Sequence, residues 1–176
     1  MELIAFLEKW IWLGLAGIGF GILFNVPERT LKLIFVMAAL GGALKVLVMY
    51  LGGGIIFASF LGAILVGFLS IYAAHLRHSP PFVLAIPAVI PMVPGTLAYR
   101  TMLGVIRLTG EQDSEVFVQL MHDTVDNGLK AFFVLLALSL GVSMPMLLAR
   151  SESAKKLKVK MPITIDGTKK TKTNQV

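Results

Sequence analysis

Pro87-Ala88-Val89-Ile90-Pro91-Met92-Val93-Pro94-Gly95-Thr96 lies inside a long apolar segment, with three prolines at spacings of four and three. Such a run resists one unbroken helix. Each proline lacks the backbone donor a helix needs and clashes with the carbonyl four residues back. The residues before them, Ile86, Ile90 and Val93, are pushed toward extended backbone. In water the run would be a loop, yet apolar residues flank it on both sides. Non-helical backbone at membrane depth persists only where it is buried in protein or lines a wet cavity. Broken helices near mid-membrane are also where secondary transporters hold their substrates. A proline-kinked helix with no ligand is the simpler alternative; three prolines and Gly95 together predict a break.

Composition places this run in a membrane protein. Of the 176 residues, 56% are hydrophobic and only 15% are charged, with a mean hydropathy of +0.82. Soluble domains carry about 25% charged residues. The chain has no cysteine, which excludes disulfides, thiolate metal sites and cysteine nucleophiles. A net charge of +6 could point to nucleic acid. The excess is concentrated in Arg150, Lys155, Lys156, Lys158, Lys160, Lys169, Lys170 and Lys172, after the last apolar segment. A basic tail beside a membrane span is first a topology signal, so nucleic acid is not an expected partner.

Working outward from the proline run, the apolar segments predict an all-α integral membrane protein with about five transmembrane helices. The spans are 6–26, 31–51, 55–74, 82–108 and 129–148, and the fourth is the broken one. Each is long enough for a hydrocarbon core of about 30 Å. Glu2 and Glu8 replace the basic start of a signal peptide, so the first segment is expected to remain as a span. Gly17 and Gly21 form a GxxxG pair, and Ala58/Gly62 with Ser59/Ala63/Gly67 form a second small-residue seam. Ala137/Gly141 and Ser139/Ser143 form a third. Asn25 before Pro27 reads as a left-handed helix cap. Lys45, near the end of the second span, reads as a snorkelling side chain.

The connection 109–128 carries Glu111, Asp113, Glu115, Asp123 and Asp126. Val116, Phe117, Leu120, Met121 and Val125 recur on one face, which predicts a short amphipathic helix. Asp126 then reads as the N-cap of the last span. His122-Asp123 offers an acid–base pair without a nucleophile, and His75 with His78 lacks a third metal ligand. No catalytic residue, cofactor or metal is expected, and the chain does not read as an enzyme. The domain division is 1–150 in the membrane and 151–176 as a basic, disordered tail attracted to anionic lipid. With basic residues at Arg29, Lys32, Arg77 and the tail on one side, the positive-inside rule puts the C-terminus in the cytoplasm.

Several of these residues carry a resemblance. Phe24-Asn25-Val26-Pro27, the glycine-rich second and third spans, and Ile90-Pro91-Met92-Val93-Pro94-Gly95 followed by Tyr99-Arg100 resemble the threonine/serine exporter family. The likeness is to its short form, equivalent to the C-terminal half of the full-length exporter. It covers roughly residues 10–148 and leaves out the basic tail. It implies proton-driven export of small amino acids or dicarboxylates, of threonine, serine or succinate type, across the plasma (inner) membrane. It also implies pairing with a second five-span subunit, or a homo-oligomer, in an inverted arrangement.

The expected substrate-binding residues are Pro91, Pro94, Gly95, Thr96 and Arg100. A helix restarting at Thr96 would aim free N–H groups at a substrate carboxylate, and Arg100 would add a bidentate contact. Two other readings stand beside this one. The first is an accessory membrane subunit that stabilises a partner without a substrate path of its own. The second is a channel without proton coupling.

Overall fold

The structure, a computed structural model, describes the backbone of residues 2–111 and 113–156 and the side chains of 8–111 and 113–149. It consists of helices α1 (Glu2–Leu23), α2 (Glu28–Tyr50), α3 (Ile55–Arg77), α4 (Pro81–Val89), α5 (Gly95–Leu108) and α6 (Ser114–Lys156). A 3₁₀ turn, Ile90–Met92, follows α4. Among the described residues there is no strand. The basic tail beyond Lys156 lies outside the described residues.

Three helix ends are closed by one device. Asn25 adopts φ 54°, Val26 N–H donates to the Gly21 carbonyl and Asn25 N–H to Ile22, which is a Schellman cap. Gly52, at φ 86°, closes α2 with the same pair of bonds, Gly53 to Val48 and Gly52 to Met49. His78, at φ 51°, ends α3, and Ser79 N–H reaches back to Ala74. Each sharp reversal sends the next helix antiparallel to the one before.

Small residues set how closely the helices approach. Gly17 of α1 lies against Ala38 of α2, and Gly21 lies against Leu31 and Ile34. Gly41 of α2 meets Gly62 of α3 almost backbone to backbone. On the other side of α3, Gly67 packs on Pro145 and the Val142 carbonyl, and Gly141 of α6 packs on Ala63. Without a hydrophobic force between lipid-bathed helices, such close backbone packing is what holds them together. The core runs through Ile34, Ala38, Val66, Leu84, Ala85, Ala88, Met92, Val134 and Leu138.

α6 differs from the sequence expectation of a short amphipathic helix followed by a separate span. It is one helix of 43 residues, about 64 Å long at the usual rise. Asp126 is not an N-cap. It sits mid-helix and pairs with Lys130 one turn on. Asn127 donates to the Asp123 carbonyl, and Gly128 packs against Thr101 of α5. The true cap is Asp113, whose carboxylate accepts the Glu115 N–H at 2.9 Å. The α5 helix packs along the N-terminal part of α6, with Gly104 against Thr124.

Three helices, Glu28–Tyr50, Ile55–Arg77 and Ser114–Ala149, are long and apolar enough to cross a membrane. A fourth crossing results if Pro81–Met92 and Gly95–Leu108, bent by 57°, count together.

Candidate functional site

The proline run shapes its own geometry. α4 starts with Pro81 in its first turn, where a missing donor costs nothing, and continues through Pro87. At Ile90–Met92 the backbone tightens into a 3₁₀ turn, closed by Val93 N–H on the Ile90 carbonyl. Val93 is extended, as a residue before proline should be. Pro94, at φ −80° and ψ 65°, forms an inverse γ-turn with Gly95 N–H donating to the Val93 carbonyl at 2.9 Å. α5 then sets off in its new direction.

This non-helical backbone is partly enclosed by protein: Met92 and Pro94 are buried and Ile90 and Pro91 half-buried, but Val93 is exposed. Before it, Leu84, Ala85, Pro87, Ala88 and Val89 of α4 are buried among α1, α2 and α3. The Met92 side chain rests over the Gly41–Gly62 contact, where the missing side chains leave room for its methyl group. The Met92 carbonyl, cut off from the normal helical donor, accepts a hydrogen bond from Lys45 Nζ at 2.8 Å. Lys45 therefore does not snorkel toward the nearer end of α2. Its ammonium turns inward to that carbonyl instead.

The residues singled out by sequence separate into two places. Pro91 is half-buried and Pro94 buried at the interruption, while Gly95 and Thr96 are exposed where α5 begins. A Cβ added at Gly95 would meet nothing within 4 Å, and its φ is not positive. Arg100 is exposed and lies further along α5. It lines a groove of about 240 Å³ between α5 and α6, with Arg107, Asp123, Thr124 and Asn127. His122 Nδ1 and Asp123 Oδ1 are 3.6 Å apart and exposed. The contact of Lys45 with the interruption was not read from the sequence. The signal available was its place one helical turn beyond Gly41, on the face that α2 turns to the interruption.

Helices long and apolar enough to cross a membrane, packed through glycine contacts, are those of a multi-pass membrane protein. Residues 9–148 match the threonine/serine exporter family, ThrE, and the chain belongs to that family. It is also similar to an uncharacterized protein of Haemophilus influenzae (strain ATCC 51907 / DSM 11121 / KW20 / Rd). The identity is 29% over 142 residues, covering 81% of this chain and 47% of that protein. The chain thus spans about half the length of this curated relative. No solved structure matches it.

Proposed function

We propose that this chain is one half of a secondary exporter of small carboxylate-bearing metabolites, of the threonine, serine or succinate type. The observation that carries the reading is the partly enclosed interruption between α4 and α5, in a chain of the exporter family. Counted from Pro81, Met92 lies about 17 Å along the helix axis, close to the middle of a 30 Å hydrocarbon core. Inverted halves that meet around such a mid-membrane site are an established transporter plan. In this reading α1, α2, α3, the bent α4–α5 pair and the latter part of α6 are five spans. Pro91 and Pro94 shape the site, Gly95, its own N–H held by Val93, leaves the start of α5 open, Thr96 offers its N–H to a carboxylate, and Arg100 supplies a further cation.

The second half is a separate five-span subunit or another copy of this chain, and the doubled length of the relative supports such a partner. Export is coupled to the proton gradient of the plasma membrane. The C-terminus faces the cytoplasm, where the basic tail meets anionic lipid.

The test loads cells with labelled threonine, serine or succinate and follows efflux. The chain is expressed alone and with a candidate second half, with and without a protonophore. Efflux of at least one of the three, abolished by the protonophore, is expected. Efflux that persists after the gradient collapses would make the protein a channel. No efflux in any pairing, together with a partner whose abundance depends on this chain, would make it an accessory subunit.

A further inference from the structure

Lys45 is a cation that the fold brings to the interruption. Its Nζ donates one hydrogen bond, to the Met92 carbonyl at 2.8 Å. An ammonium group has three N–H donors. Among the described residues no carboxylate forms an ion pair with Lys45. A cation within an apolar bundle is costly unless something of opposite charge compensates it. Lys45 as a whole is only half-buried.

A second observation lies at the same level. α2 and α3 run antiparallel, with Gly41 against Gly62. Four residues on from Gly41 is Lys45, and three residues back from Gly62 is Ser59. The antiparallel register therefore sets Ser59 level with Lys45. The Ser59 hydroxyl is fully buried and has no hydrogen-bond partner. Buried hydroxyls are normally satisfied, so Ser59 is a second polar group of the bundle without a hydrogen-bond partner among the described residues.

We propose that Lys45 receives the carboxylate of the transported molecule. One N–H stays on the Met92 carbonyl and the other two are offered to the carboxylate. The inference rests on the exporter reading above and assigns the residue that recognises the substrate's charge. A carboxylate supplies the counter-charge that Lys45 lacks among the described residues. The Met92 carbonyl fixes the ammonium in place, so little side-chain freedom remains to be lost on binding. The bond also ties recognition to the one segment of irregular backbone in the bundle's interior, where a change of conformation disturbs no helical ladder.

A plain structural role for Lys45 is to cap the end of the 3₁₀ turn, and the test separates the two. Lys45→Gln keeps an N–H donor for the Met92 carbonyl but removes the charge. Lys45→Met removes both, and Lys45→Arg keeps the charge. Efflux of threonine, serine and succinate is measured over a range of internal concentrations and divided by membrane abundance. For Lys45→Gln and Lys45→Met alike, the half-saturating concentration of the exported carboxylate should rise about ten- to a hundredfold, the contribution of a charge-assisted hydrogen bond. Lys45→Arg should remain within about tenfold of the wild type on the same scale. A Lys45→Gln variant with wild-type half-saturation overturns the proposal and leaves the exporter reading standing. So does a fall in abundance with unchanged efflux per molecule. A wild-type protein that exports none of the three carboxylates overturns both.

Discussion

The bundle around the interruption and the hairpin that follows it use similar residues, yet only the first encloses them. In α4 and the 3₁₀ turn, Leu84, Ala85, Pro87, Ala88, Val89 and Met92 are buried. In α5 the buried residue is Gly104, and Tyr99, Met102, Val105 and Ile106 are exposed. Both regions pack through glycine, but what each glycine meets is different. At Gly62 the neighbour is backbone, the Gly41 carbonyl; at Gly104 it is the side chain of Thr124. A backbone contact between two helices cannot relax without moving both of them. The Gly104 contact holds α5 on one face, and the helix's other residues are half-buried or exposed, so it can open by a shift of α5 alone. The bundle is therefore the rigid part of this chain, and the hairpin is the part whose outer faces are left for lipid or a second half.

The largest effect expected from this contrast is on folding. A Cβ at Gly62 would lie 2.7 Å from the Gly41 carbonyl oxygen and 3.0 Å from the Met92 methyl carbon. Gly62→Leu should push α2 and α3 apart, costing about 3 kcal/mol or more, at the upper end for overpacking. Membrane abundance, read by immunoblot against a wild-type control, should be almost lost. Gly104→Leu should lower it less, because α5, whose other residues are half-buried or exposed, can shift off Thr124. Equal losses in the two variants would end the distinction between a rigid bundle and a yielding hairpin.

Much of this contrast was legible in the sequence, and the parts that were not have physical causes. The seams at Gly17/Gly21 and Ala63/Gly67 were readable because small residues at helical spacing leave few alternatives, and the structure packs them as interfaces. Asn25 was readable as a cap, because few residues other than glycine tolerate its backbone angles. The unbroken α6 was not. Asp126-Asn127-Gly128 has the composition of a helix start, and only tertiary contacts reveal otherwise, through Lys130, Asp123 and Thr101. Pro145 makes the same point: it lies inside α6, fully buried, and the helix continues past it with Gly67 alongside. The destination of Lys45 was hidden too. Sequence gives distance from the helix end, but a lysine's direction depends on whether a carbonyl waits inward of it.

A smaller effect on folding, and a large one on transport, is expected where the bundle opens into the hairpin. Gly95 has an ordinary helical φ and open space around its missing side chain. Gly95→Leu should therefore keep membrane abundance within about twofold of wild type, as surface substitutions usually do. Export per molecule should nevertheless be abolished if substrate or the second half approaches this backbone closely. Loss of abundance in step with export would show that the glycine serves folding, through a contact that the single chain does not contain.

The smallest effect should come from the hairpin's own cation. Arg100 is exposed and shares its groove with Asp123, so the groove already holds an opposite charge. Lys45, by contrast, has a carbonyl and no carboxylate. An exposed charge contributes on the order of 1 kcal/mol, which limits Arg100→Gln to about a fivefold change in half-saturating concentration. The change should be greater for succinate than for threonine. A dicarboxylate has a second negative charge to place, whereas a zwitterionic amino acid brings its own ammonium. Arg100→Lys keeps the charge but loses the planar fork, so it should fall between wild type and Arg100→Gln if the contact is bidentate. Efflux of both substrates, normalised to membrane abundance, decides the matter. Equal effects on succinate and threonine would make Arg100 a partner of Asp123 alone. Unchanged efflux for both would remove it from the site and leave Lys45 as the cation that meets the substrate.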